Sequence, residues 1–132
     1  MKSIGLSFAK FIANLASDKK ASDILILDLR KIDYITDFFV ILSGNSSTQV
    51  KAIADYIDEK LGEEKVYPFH KEEDVGSSWI LLDYIDVIVH VFEENTRKFY
   101  ALERLWGDAK FIKLKDKHEK KYKKLSKRRD KK

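Results

Sequence analysis

Residues 79–109, WILLDYIDVIVHVFEENTRKFYALERLWGDA, constrain the fold more than any other part of the chain. Residues 80–82 and 87–92 are almost wholly apolar. Apolar runs that short belong to strands covered on both faces. Asp83, Tyr84, Ile85 and Asp86 separate them, a tight hairpin turn, and residues 96–106 follow with helical spacing. The segment therefore predicts strand, turn, strand, loop and helix. Its polar groups gather at the turn and the element ends, where two carboxylates and a phenol lie close in sequence to Trp79. That composition suits a recognition edge and makes a poor hydrolytic site.

The rest of the chain supplies partners for this hairpin. Residues 38–43 predict a second buried strand, broken at Gly44 and Asn45. A helix follows, with Ser46 or Ser47 as its N-cap, Val50, Ile53, Ala54, Ile57 and Leu61 as its apolar face, and Gly62 to end it. Upstream, Ile4, Phe8, Phe11, Ile12 and Leu15 recur at helical spacing behind a Ser3 cap. Residues 24–29 then read as a short strand and residues 31–36 as a connection. Val66 and Tyr67 before Pro68 suggest another short strand, and residues 69–78 a polar surface loop. Strand–helix–strand order with later antiparallel strands predicts an α/β domain, one mixed sheet flanked by helices.

At 132 residues and 44% hydrophobic, the chain fits a single domain with one real core. It has no cysteine, which excludes disulfides and thiolate chemistry. No apolar run approaches the roughly 20 residues of a membrane span. Lys10 and Asn14 interrupt the N-terminal apolar residues, unlike a signal peptide, so a cytoplasmic protein is expected. The net charge of +4 hides an asymmetry. Residues 1–109 carry 13 Lys/Arg against 19 Asp/Glu, and residues 110–132 carry 13 against 3. The chain thus divides into an acidic body, 1–109, and a basic tail, 110–132, expected to be partly helical or disordered.

Catalysis finds little support. Ser43-Gly44-Asn45-Ser46-Ser47 sits at a strand-to-helix junction and could cradle an anion, yet these are the preferred capping residues. Two-metal phosphoryl transfer needs converging carboxylates. Asp83 and Asp86 stand three apart across a turn, and Asp28 and Asp33 straddle a bend. His90 lies mid-strand as a core or sheet-face histidine, His70 beside Glu72 and Glu73 lacks a completing ligand, and His118 belongs to the tail. No catalytic residue, metal or cofactor is expected. Trp106 follows the apolar face of its helix with Phe99, Leu102 and Leu105. Trp79 is expected at an interface, with Asp83 and Asp86 facing Arg or Lys of a basic partner while also capping the turn.

Several phrases stand in order along residues 8–109: Thr36-Asp37-Phe38-Phe39, Ser43-Gly44-Asn45-Ser46, Gln49-Val50 with Ala52-Ile53-Ala54-Asp55, and His70 with Glu72. Trp79-Ile80-Leu81-Leu82-Asp83-Tyr84, Asp86-Val87-Ile88-Val89-His90-Val91-Phe92, Arg97-Lys98-Phe99-Tyr100-Ala101-Leu102-Glu103, Leu105-Trp106 and Asp108-Ala109 complete them. Together they resemble the ribosomal silencing factor family, also called Iojap. The resemblance implies a nucleotidyltransferase-like scaffold without the catalytic acids, and no enzyme. It implies a translational repressor that binds the fourteenth protein of the large ribosomal subunit. Occupying the face that meets the small subunit would block joining and lower translation when nutrients are short. The partner-binding role then falls to Trp79, Leu81, Asp83, Tyr84 and Asp86, with Arg97 and Tyr100 as further candidates. A large-subunit assembly factor and a metal-dependent nucleotidyltransferase are the alternatives, and a homodimer of the free protein is left open.

The chain departs from the family pattern twice, with Glu73 and Ile85 standing where the family usually has Gly. A β-branched residue tolerates positive φ badly, so the turn is expected to be built differently or kept at negative φ. The tail lies outside the resemblance. Its Lys113, Lys115, Lys117, Lys120, Lys121, Lys123, Lys124, Lys127, Arg128 and Arg129 can neutralise phosphates of ribosomal RNA beside the docking protein, or merely keep the chain soluble.

Overall fold

The computed structural model describes residues 2–32, 36–101 and 109–113, with the side chains of residues 2–4, 99 and 113 outside the description. Among the described residues the chain runs α1 (Lys2–Asp18), β1 (Ser22–Asp28), β2 (Phe38–Gly44), α2 (Ser47–Glu63), β3 (His70–Glu73), β4 (Trp79–Asp83), β5 (Val87–Glu93), α3 (Glu94–Tyr100) and β6 (Lys110–Lys113). Six strands form one sheet in the order β3-β4-β5-β2-β1-β6. Only β2 and β5 are parallel neighbours, and the other four pairs are antiparallel. This is the mixed α/β architecture that the strand and helix order implies.

Both faces of the sheet are apolar because β2 and β5 are mostly apolar, with Ser43 and His90 as their buried polar residues, and side chains alternate along a strand. On one face, Ala9, Ile12, Ala13 and Ala16 of α1 and Val50, Ile53, Ala54, Ile57 and Leu61 of α2 pack on Val40, Leu42, Val87, Val89 and Val91. On the other, Leu27, Leu29, Phe39, Ile41, Ile88 and Phe92 form a second cluster, with Leu25, Trp79, Leu81 and Ala109 partly buried against it. The first face is closed by two helices, and the second carries the candidate edge.

The first helix seats on the sheet through alanines, whose size lets the backbones approach. Phe11, expected inside, is 46% exposed. Ser3 lies within α1 and not at its cap. The second helix starts as its sequence predicts. Ser46 Oγ accepts from the Gln49 N–H at 3.1 Å, and Gln49 Oε1 in return accepts from the Asn45 N–H at 2.6 Å. Its end differs from expectation, since Gly62 is still helical. Lys65 takes the left-handed position instead, at φ 62°. The Lys65 N–H reaches the Gly62 carbonyl and the Val66 N–H reaches that of Leu61, each at 2.9 Å, which closes a Schellman cap.

Two segments correct the sequence reading of the sheet. Val66 and Tyr67 form no strand, and the strand comes inside the expected loop, as β3. Its sequence HKEE is polar at every position and none of the four residues is buried, so no apolar alternation marks it, and charges of this kind guard a free sheet edge. Lys110–Lys113, taken as the start of the tail, pairs with β1 as the opposite edge. Residues 114–132 lie outside the described residues.

The helix after the hairpin also shifts. It begins at Glu94 because Glu93 acts as N-cap, accepting from Asn95 and Thr96 N–H groups at 3.0 and 3.2 Å. It stops at Ala101, left-handed at φ 46°. Leu102, Leu105 and Trp106 fall outside the described residues.

The hairpin turn resolves the question posed by Ile85. Neither expected alternative is adopted: the positive φ is kept, at 75°, and isoleucine bears it. The Asp86 N–H bonds the Tyr84 carbonyl at 2.9 Å across a γ-turn, and Asp83 Oδ1 accepts from the Ile85 N–H at 2.7 Å. These bonds hold a conformation that costs a non-glycine residue on the order of 1–3 kcal/mol. Ile85 is 57% exposed and loses little burial when truncated. Ile85→Gly should therefore raise stability by about 1 kcal/mol, or roughly 4 °C in Tm. A lower Tm in a thermal melt would contradict this reading of the turn.

Candidate functional site

Alternation along β4 sends Ile80 and Leu82 to the helix side and leaves Trp79, Leu81 and Asp83 half-buried on the other. The register sets Glu72 of β3 beside Leu81 and His70 beside Asp83. On the inner side it sets Phe92 beside Trp79 and His90 beside Leu81. Where β5 passes into α3, the chain brings Tyr100 over the same spot.

Trp79 is clamped on several sides. Its ring lies 4.8 Å from that of Phe92 and 4.6 Å from that of Tyr100, centroid to centroid. Its indole N–H donates to His90 Nδ1 at 3.2 Å. Such packing pre-orders a large amphipathic surface, which lowers the entropy lost on binding. His90 is itself buried, with no partner for Nε2 among the described residues. Burial pushes its pKa down to about 4, so the ring is neutral and Nδ1 is free to accept from Trp79.

Beside this aromatic floor runs an acidic wall. Glu72, Glu73, Asp74, Trp79, Leu81 and Tyr100 line a groove of about 560 Å³. Asp74 Oδ1 accepts from the Ser78 and Trp79 N–H groups at 2.8 and 2.9 Å, and Oδ2 from the Ser78 hydroxyl. Partial burial works to raise the Asp74 pKa, but these hydrogen bonds outweigh it and hold the group below the usual carboxylate range. Asp74 both fixes the entry into β4 and keeps its charge. Glu73 accepts from the Ser77 hydroxyl, and His70 bonds Glu72 at 2.7 Å. The arrangement can take up an apolar or aromatic side chain flanked by Lys or Arg.

Of the residues singled out from the sequence, Trp79, Leu81 and Tyr100 meet in this groove. Asp83 is on the same face at the far end of β4, its carboxylate engaged by the Ile85 N–H. Asp86 is exposed on the turn, and its carbonyl accepts from the Phe38 N–H at 3.0 Å, docking the hairpin on β2. Two candidates lie elsewhere. Tyr84 points into the helix-side core, edge-on to Phe8 with ring centroids 5.7 Å apart, because residues 80, 82 and 84 share that face. Its hydroxyl is buried without a hydrogen-bond partner among the described residues, and burial together with the Asp58 charge pushes the phenol pKa up.

Arg97 is the second residue turned inward. It is 8% exposed, and Nη1 donates to the Asp23 carbonyl at 2.6 Å and to Ser43 Oγ at 2.8 Å. It ties α3 to the sheet. Glu72 and Asp74 are groove residues that the sequence reading missed, having placed them in a loop. Lys113 ends β6, and the tail residues from Lys115 to Arg129 lie outside the described residues.

The Ser43–Ser47 junction serves the helix. A Cβ on Gly44 would come within 3.1 Å of the Val50 nitrogen, so glycine answers to close packing here. Among the described residues no group of three or more His, Asp or Glu side chains could hold a metal ion. No helix among them is long and apolar enough to cross a membrane.

A family model described as "Ribosomal silencing factor during starvation" matches residues 5–132, tail included. The chain is similar to the ribosomal silencing factor RsfS of Bacillus subtilis, 43% identical over 103 residues, covering 78% of this chain and 87% of that protein. It is also similar to the chloroplastic protein Iojap of Zea mays, 40% identical over 109 residues, covering 83% of this chain and 47% of that one. A crystal structure of a protein from Bacillus halodurans superposes with a TM-score of 0.72 at 34% identity, covering 83% of this chain and 99% of that one. A protein from Chromobacterium violaceum gives a TM-score of 0.72 at 33% identity, covering 76% and 85%.

Proposed function

The chain belongs to the ribosomal silencing factor family, and from that premise we propose that it represses translation by occupying the large ribosomal subunit where the small one must dock. The family carries a ribosome-associated silencing role. In the reading proposed here, the fourteenth protein of the large subunit is the docking partner and steric exclusion is the mechanism, acting in the cytoplasm.

The groove is the observation that carries this reading. Ribosomal proteins are basic, and a basic side chain entering beside Trp79, Leu81 and Tyr100 meets Glu72, Glu73 and Asp74. Charge complementarity sets the register and speeds encounter, and the rigid aromatic floor supplies the buried anchor. Asp83 and Asp86 extend the acidic edge toward the turn. The basic tail adds contacts to ribosomal RNA by releasing counterions from phosphates.

Cosedimentation with purified large subunits tests this directly. Trp79→Ala, checked for folding by its melt, should weaken binding by about 2 kcal/mol, roughly thirtyfold. Removing residues 114–132 should flatten the dependence of binding on salt. Full-strength binding by Trp79→Ala would place the contact elsewhere, and an unchanged salt slope would remove the tail from the RNA.

A further inference from the structure

We propose that in the free protein the chain's own basic tail, residues 114–132, lies in the acidic groove beside Trp79, so that a basic partner must displace it to dock. The inference concerns the chain alone and stands or falls independently of any ribosomal partner.

Charge is the first ground. Residues 114–132 carry 11 Lys/Arg against 3 Asp/Glu. Several acids of the body have cations of their own: Asp28 with Arg30, Asp55 with Lys51, Asp58 with Lys71, and Glu63 with Lys60. At the groove, Glu72 and Asp74 make no ion pair with Lys or Arg among the described residues, and Glu73 has only Lys51, at 3.8 Å. These acids stand beside the aromatic floor, where the stem of a Lys or the plane of an Arg also finds Trp79 and Tyr100.

Topology is the second ground. β6 runs antiparallel to β1, β1 antiparallel to β2, β2 parallel to β5, and β5 antiparallel to β4. The chain therefore leaves Lys113 heading toward the end of the sheet that holds Trp79, Glu73 and Tyr100. The groove lies beside the opposite edge, β3, five strand spacings away, or about 24 Å. A chain of 19 residues spans at most about 65 Å. The groove therefore lies within the tail's reach, so the contact is an intramolecular one at high effective concentration. At low ionic strength such a contact is attractive across roughly 10 Å or more, and salt shortens that range.

The absence of cysteine makes the test clean, since Arg128→Cys gives a single attachment point for a nitroxide on the full chain. Amide intensities are compared with a diamagnetic label at about 0.05 M and about 0.5 M salt, where the screening length falls severalfold. Residues 72–74, 79–81 and 100 should lose most of their intensity at low salt and recover it at high salt. Glu72→Lys, on an exposed edge strand, should abolish much of the loss, with Glu73→Lys as a second variant should the first disturb β3. Mixing labelled, isotope-silent chain with unlabelled, isotope-enriched chain should leave intensities unchanged. Attenuation centred on Asp55, Glu59 and Glu63 of α2, no attenuation at low salt, or full attenuation in the mixed sample would each overturn the proposal.

Discussion

Arg97→Met is expected to cost about 3 kcal/mol of folding stability, among the largest effects available to a single polar substitution in this chain. The guanidinium sits where β1 is irregular, between Ser22 and Leu25, and where Asp23 is left-handed at φ 48°. That kink takes the Asp23 carbonyl out of the ladder, and Arg97 supplies its donor at 2.6 Å. The same nitrogen satisfies Ser43 Oγ, a fully buried hydroxyl on β2. Methionine fills much of the volume but leaves both acceptors dry. Lysine places one point charge where a planar fork had been, and should recover only part of the loss. Urea denaturation reads the difference. A cost below about 1 kcal/mol would mean that the buried contacts are easily replaced. Once corrected for the folded fraction, partner binding by Arg97→Met should match that of the wild type, which separates an internal tie from an interface residue.

Acid should unfold the protein through His90 before the carboxylates are titrated. Burial holds the folded pKa near 4, against 6.5 for the exposed ring. Between these values the unfolded chain binds a proton that the folded chain refuses, so stability falls as pH is lowered. The contribution is complete above 6.5 and is lost progressively down to 4, at most about 3 kcal/mol. Asp28, lowered chiefly by its hydrogen bond from Arg30, and Asp74 add losses of the same sign at still lower pH. His90→Leu should remove the slope between pH 6.5 and 4 while freeing the Trp79 indole N–H from its acceptor. A melt series over that window with equal slopes for both chains would contradict the assignment.

Legibility of the fold followed the hydrophobic effect. β2, β5 and the apolar face of α2 were written as unbroken or regularly spaced apolar residues, and each appears where that pattern put it. Ser46 announced a helix start through capping chemistry. The misses share a different cause. β3 is HKEE, a strand held by pairing with β4 and by its position at an edge, with no apolar face to betray it. Lys65, Ile85 and Ala101 occupy left-handed positions that composition assigns to glycine. At the site, Trp79 was readable as an aromatic residue close to carboxylates, whereas Leu81 and Tyr100 entered as candidates through the family resemblance. Tyr84 and Arg97 were misplaced for one reason: an amphipathic side chain shows in sequence that it can reach a surface, and only the fold decides which way it points. Glu72 and Asp74 could be found only after β3 set them against β4.

Subunit joining tests the silencing function most directly. Light scattering follows purified large and small subunits at joining Mg²⁺ after the large subunits are preincubated with this chain, with Trp79→Ala, or with Glu72→Lys. The wild-type chain should suppress the joining signal in proportion to its occupancy of large subunits, without turnover, and both variants should do so far less. Normal joining by large subunits that demonstrably carry the chain would mean that it binds without silencing, and steric exclusion through the Trp79 groove would be wrong.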